Sequence, residues 1–221
     1  MITPPTGAVV EAHRLLNSAL ADLTDADVVG PSLLPRWTRG HVLAHLADAA
    51  RARARVVEHA LRGEVVQMWE PGERDEIIEA TAGRTAAEHR AAVAEHAERL
   101  DRVWASVEDW TAPSRFAIDP LAPAVHIRWR EVLIHLVDLD VGVRPSDWDV
   151  EFSCHAVDFL HTRLPPHVRL TATDVARTWG TGDEVTGAVH DLAAWLAGRT
   201  PVDRPRSFGP LPLLGPWPAY R

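Results

Sequence analysis

Glu131 and His135 stand four residues apart within the run Trp129-Arg130-Glu131-Val132-Leu133-Ile134-His135-Leu136-Val137-Asp138-Leu139. Residues four apart on a helix share a face, with Cβ atoms roughly 5–6 Å apart. A carboxylate oxygen and an imidazole nitrogen at that spacing can reach one metal ion at about 2.0–2.2 Å. The apolar neighbours imply a buried helix, where an unpaired carboxylate is costly and a divalent cation would offset the cost. One or two ligands then remain to be found. The best is His45, which lies among apolar residues in His41-Val42-Leu43-Ala44-His45-Leu46 and so is expected to point inward. Two histidines and one carboxylate with an open position form a catalytic zinc pattern, and the same set suits non-haem iron. The competing interpretation is structural: Glu131 pairs with His135 or with an arginine, and His45 is a hydrogen-bonded core histidine. His41 is a candidate fourth ligand or supporting group, and Asp138 a candidate partner for a ligating histidine.

These residues need facing helices. Val9, Ala12, Leu16, Ala19 and Leu20 recur near the helical period and predict a helix over 7–23. After a loop with two prolines at 30–36, Thr38 is a plausible N-cap for a helix running to about Arg62, with Gly63 as its stop. His41, His45, Asp48 and Ala52 share one face of it, and Arg51, Arg53 and Arg55 are expected on its wet side. Residues 64–84 are irregular, broken by Pro71 and Gly72. Thr85 and Glu88 form a capping box that opens a third helix reaching about Val107. The segment from Trp110 to Pro123 is a proline-containing loop, and a fourth helix over about 125–141 carries Glu131 and His135. Four helices joined by modest loops imply a four-helix bundle, an architecture that assembles metal sites from facing helices.

The pattern changes after Gly142. A helix is expected over 153–163. Alternation over 167–173 and a second short run over 175–180 predict a hairpin turning at Asp174. Glu184 to Ala197 has the pattern of an amphipathic helix capped by Gly198, and a proline-rich tail follows Pro201. The expected division is a bundle over 1–145 and a small α+β domain over 146–221.

Composition narrows the function. The 221 residues carry a net charge of -8 and are 46% hydrophobic, enough for a sizeable core and without a basic stripe for nucleic acid. No apolar run approaches the roughly 18 residues of a membrane span, and Met1-Ile2-Thr3-Pro4-Pro5 lacks the features of a signal peptide. The single cysteine, Cys154, rules out an internal disulfide framework and fits a reducing cytoplasm. Without an adjacent basic cluster in sequence, Cys154 is a poor nucleophile.

Taken together, these segments carry a resemblance. Trp37-Thr38-Arg39-Gly40-His41-Val42-Leu43-Ala44-His45-Leu46-Ala47 and the run from Arg130 to Leu139 resemble the two hallmarks of the mycothiol-dependent maleylpyruvate isomerase family. Leu23-Thr24-Asp25-Ala26-Asp27, Ile78-Glu79 with Ala82-Gly83-Arg84, and Ala194-Trp195-Leu196-Ala197-Gly198-Arg199 add matches in the same order. The resemblance implies a mainly α fold, a DinB-like four-helix bundle followed by a small sterol-carrier-like α+β domain. It implies zinc held by His45, Glu131 and His135, mycothiol as the low-molecular-weight thiol, and a small electrophile as substrate. It also implies an arginine of the C-terminal domain important for activity, matched here to Arg199, whose guanidinium suits a substrate carboxylate. The implied chemistry is attack by a zinc-bound thiolate on the cis double bond of maleylpyruvate, rotation, and elimination to the trans product. Thiol S-transfer to another electrophile is the alternative, and a non-catalytic metal-binding module a third. The chain departs from the family at Asp48-Ala49-Ala50-Arg51, at His135-Leu136 and near Met68-Trp69. These departures spare the ligand positions and surround them.

Overall fold

The computed structural model describes residues 4–113 and 120–218. They form two compact units that divide between Gly142 and Val143.

The first unit is helical: α1 (Thr6–Ala19), α2 (Asp25–Val29), α3 (Arg39–Ala60), α4 (Glu73–Thr81), α5 (Ala86–Ala105) and α6 (Ala122–Asp138). The four long helices α1, α3, α5 and α6 make the expected bundle. The first expected helix stops at Ala19 and a short second one, α2, begins after Thr24, whose hydroxyl and backbone exchange hydrogen bonds with Asp27 in a capping box. Thr38 caps α3 and Thr85 caps α5 in the same way. Residues 64–84 hold a helix that the sequence pattern did not reveal: α4 follows Gly72, which sits at φ 86°, a conformation glycine adopts without a Cβ penalty. Pro123 lies in the first turn of α6, where its missing N–H would have had no intrahelical partner. Part of the loop expected between Trp110 and Pro123, residues 114–119, lies outside the described residues.

Helix α3 packs along α5 and also against α4 and α6, while α1 packs on α6 and α5. The core between them includes Leu16, Leu43, Leu46, Leu100, Trp104 and Leu136, all essentially buried. Two features seat the start of α3. A Cβ on Gly40 would lie 2.1 Å from the carbonyl oxygen of Ala82, so only glycine permits this approach to the end of α4. Arg39 donates from Nε to the carbonyl of Leu139 at 2.7 Å and from Nη2 to that of Asp140 at 3.2 Å, tying the first turn of α3 to the end of α6.

The second unit contains α7 (Val150–Leu160), a four-stranded mixed sheet and α8 (Val189–Leu196). The strands β1 (Val168–Ala172), β2 (Thr178–Gly180), β3 (Asp183–Gly187) and β4 (Arg206–Ser207) lie in the order β2-β1-β3-β4. The β1–β2 pair is antiparallel as expected, with Leu170 opposite Trp179. The expected helix from Glu184 to Ala197 is corrected: its first part is β3, parallel to β1 and antiparallel to β4, and only its second part is helical. The apolar positions at Val185 and Val189 fit a helix period, but pairing of β3 with strands on both sides decides the conformation of the first. The chain passes from β2 to β3 beneath the start of β1. A Cβ on Gly182, at φ 105°, would fall 2.2 Å from the carbonyl oxygen of His167. Among the described residues no helix is long and apolar enough to cross a membrane.

Candidate metal centre

The bundle brings the three expected ligands together. His45 comes from the second turn of α3, and Glu131 and His135 come from successive turns of α6. Nε2 of His45 lies 3.6 Å from Oε1 of Glu131. The rings of His45 and His135 meet edge to face with centroids 5.0 Å apart. Two donors at 2.0–2.2 Å from a tetrahedral ion are about 3.4 Å from one another, close to the His45–Glu131 separation. Among the described residues, however, no group of three or more His, Cys, Asp or Glu closes to the spacing of a complete metal cluster.

The donor set nevertheless suits a metal in three respects. Burial pushes His45 down to about 3, against the opposing attraction of Glu131, so its imidazole is neutral at neutral pH. Burial alone would raise Glu131, but the guanidiniums of Arg53 and Arg128 outweigh it and hold the carboxyl well below the usual carboxylate range. Asp138 Oδ2 lies 2.8 Å from Nδ1 of His135, which leaves Nε2 of that ring as the available donor. A carboxylate behind a histidine in this way orients the ring and raises its basicity.

Glu131 is held through Oε2. Arg53 Nη1 and Arg128 Nη1 each donate to Oε2 at 2.9 Å, and Oε1 is the atom that faces His45. Arg128 also donates from Nη1 to the carbonyl of Leu46 and from Nε to Nε2 of His13, both at 3.0 Å. His13 Nδ1 in turn lies 2.9 Å from Asp101 Oδ1. The result is a chain of charged and polar groups running from α5 through α1 to the carboxylate on α6. Arg53 corrects the expectation that the Arg51–Arg55 arginines line a wet face. It is 2% exposed and points into the bundle. The available signal was spacing: Arg53 lies two turns beyond His45, and Arg128 one turn before Glu131.

The other candidates separate. His41 completes the α3 cap, with Nδ1 2.7 Å from Thr38 Oγ1 and Nε2 3.7 Å from Glu79, and it does not join the three ligands. Trp37, which the sequence pattern did not single out, stacks on His41 at 6.1 Å and meets His45 edge-on at 6.0 Å. Trp104, Trp129 and Trp179 are buried in the cores. Trp69 donates from Nε1 to Asp48 Oδ2 at 2.7 Å. Arg199 lies in the second unit, just past α8, where Nη1 donates to the carbonyl of Ala197 at 2.6 Å. Cys154 is buried on α7, and the fold sets the Arg177 guanidinium against it, a cationic neighbour that chain proximity did not supply.

The profile of the family described as mycothiol maleylpyruvate isomerase N-terminal domain matches residues 9–140, more than half of the chain and all three ligand positions. The chain belongs to this family. Among solved structures it is similar to a crystal structure of the mycothiol-dependent maleylpyruvate isomerase, with 24% identity, a TM-score of 0.81, and coverage of 96% of this chain and 99% of the other. A histidine-to-alanine mutant of that isomerase matches with 23% identity, a TM-score of 0.80 and the same coverage. At these identities the likeness establishes the fold over both units. No curated protein sequence matches the chain.

Proposed function

We propose that this family member is a zinc- and thiol-dependent enzyme that isomerises a small cis-unsaturated electrophile of the maleylpyruvate type, with mycothiol as the thiol. The observation that carries this reading is the convergence of His45, Glu131 and His135 from two helices, inside the segment that matches the family. When bound, zinc supplies an open position at which a sulfhydryl is deprotonated near neutral pH and made nucleophilic.

The remaining work belongs to the chain's own residues. His45 enters as a neutral donor because burial disfavours its protonated form. Glu131 enters ionised, and Arg53 and Arg128 confine Oε2 so that Oε1 is the oxygen offered. Asp138 keeps His135 in the tautomer whose Nε2 can ligate. Trp37 and the apolar flank of α3 screen His45 from water, which strengthens electrostatic interactions at the site. Arg199, by its match to the family's C-terminal arginine, is assigned to a substrate carboxylate.

The test is metal analysis of the purified chain followed by turnover of maleylpyruvate with and without mycothiol. One zinc per chain and conversion to the trans isomer only with the thiol are expected, with both lost in His45→Ala and in His135→Ala. A stable mycothiol adduct without isomerisation would place the chemistry in thiol transfer. Zinc-free protein that turns over no substrate would sink the proposal.

A further inference from the structure

Another guanidinium stands beside the candidate ligands, and neither the family match nor the sequence pattern assigned it. Arg74, the second residue of α4, places Nη2 3.4 Å from Nδ1 of His45. Its Nη1 donates to Oδ1 of Asp75 at 2.9 Å, a chain neighbour whose side chain is 79% exposed. The Arg74 side chain is itself 37% exposed, so its guanidinium spans the distance from a buried imidazole to open water. Arg53 and Arg128 differ: they are 2% and 0% exposed and are engaged with Glu131.

The contact with His45 has a consequence for the site. A guanidinium only donates, so Arg74 can meet Nδ1 of His45 only when that nitrogen offers a lone pair and Nε2 carries the proton. Ligation through Nε2 requires the opposite tautomer, which turns an N–H toward Arg74. Two donors then face each other and the contact is lost. Nη2 of Arg74 is thereby released next to the ligand set, on its water-accessible side, while Nη1 stays on the exposed carboxylate of Asp75, which a substrate carboxylate can displace. A carboxylate matches the fork bidentately.

We propose that Arg74 is a substrate-binding residue that holds a carboxylate of the electrophile at the metal centre. This rests on the metal reading above and extends it to substrate class. The substrate is an anionic unsaturated acid, and its anionic group is bound from within the bundle unit.

The test uses full-length, zinc-loaded protein and maleate, a cis-unsaturated dicarboxylate, titrated calorimetrically. Arg74→Ala and Arg74→Gln are expected to weaken maleate binding by about tenfold to a hundredfold, the range for losing a charge-assisted pair. Arg74→Lys should fall between them and the unaltered protein, because lysine keeps the charge and loses the fork. Zinc content should stay at one per chain in all three. Unchanged maleate affinity in Arg74→Ala with zinc retained overturns the role of Arg74 and leaves the metal reading standing. Unaltered protein that holds no zinc overturns the metal reading and this proposal together.

Discussion

In the bundle unit His45, Arg53, Arg128 and Asp138 are buried and gather around Glu131 and His135, while in the C-terminal unit the buried carboxylate of Asp191 takes its hydrogen bonds from backbone through Oδ1 and lies 3.4 Å from Nε2 of the adjacent His190 through Oδ2. Asp191 Oδ1 accepts from Val202 N at 2.8 Å and from Asp203 N at 3.1 Å, fastening the chain after α8. The two arrangements cost desolvation alike and return different things. Asp191 satisfies two backbone donors of the chain that follows α8 and so fixes its path, which is a structural return. Glu131 is held by two arginines through one oxygen, so that the other is left facing His45. Several ionisable groups drawn to one place inside a core are better explained by a site than by stability, because apolar replacements would hold the core as well or better.

The comparison can be broken most forcefully at Arg128. Its side chain is fully buried, and Arg128→Ala leaves Glu131 with one guanidinium and His13 without a donor. The expected loss is about 3–5 kcal/mol of unfolding free energy, read by urea denaturation. A loss below about 1 kcal/mol would show that the cluster is not held together as charge.

Asp138→Asn is the next largest in effect and separates function from fold. The amide keeps the size of the side chain and weakens the hydrogen bond that orients His135. Zinc affinity should fall about 10–100-fold by chelator competition, with little change in secondary structure by circular dichroism.

Asp191→Ala sharpens the contrast from the other side. It leaves the backbone N–H groups of Val202 and Asp203 without their acceptor. A loss of about 1–3 kcal/mol is expected, together with unchanged zinc content. Loss of zinc in this variant would mean that the two kinds of buried carboxylate are not separate.

The smallest effect belongs to an ion pair near the surface. Arg99 donates to both oxygens of Glu58 at 2.8 and 2.6 Å, linking α5 to α3, and this bond lowers the Glu58 carboxyl below its ordinary 4.5. A lowered carboxylate stabilises the fold above its unfolded-state value, and that contribution fades as pH falls through the folded value. Glu58→Gln should therefore cost less than about 1 kcal/mol at pH 7 and nothing once the pH lies below both values. A melting-temperature difference that persists unchanged at pH 2 would contradict this.

The bundle was legible for local reasons. Thr38 and Thr85 are residues whose side chains cap a helix from its own first turn, and the apolar period of α1, α3, α5 and α6 repeats within each segment. Helix α4 was hidden because its pattern is polar and short, with Ile78 its only buried residue. In the C-terminal unit β3 was mistaken for helix because its conformation depends on partners more than ten residues away, at β1 and β4. The candidate ligands were legible from spacing on single helices. The groups around them were less so: Arg53 shares an alternating Arg-Ala run with Arg51 and Arg55, and its spacing from His45, outside that run, is what marks it as the arginine that turns inward.

Sequence by itself determined the four long helices of the bundle, the caps at Thr38 and Thr85, and the positions of His45, Glu131 and His135 along them, because each of these depends on residues within a turn or two of itself. Tertiary structure alone decided that α3 and α6 face each other across those side chains. It also decided that Arg53 and Arg128 share one oxygen of Glu131, that Arg74 reaches His45, and that β3 joins a sheet. Those outcomes depend on close packing and hydrogen bonding between segments far apart in the chain, and pairings of that kind leave no periodic trace in either partner.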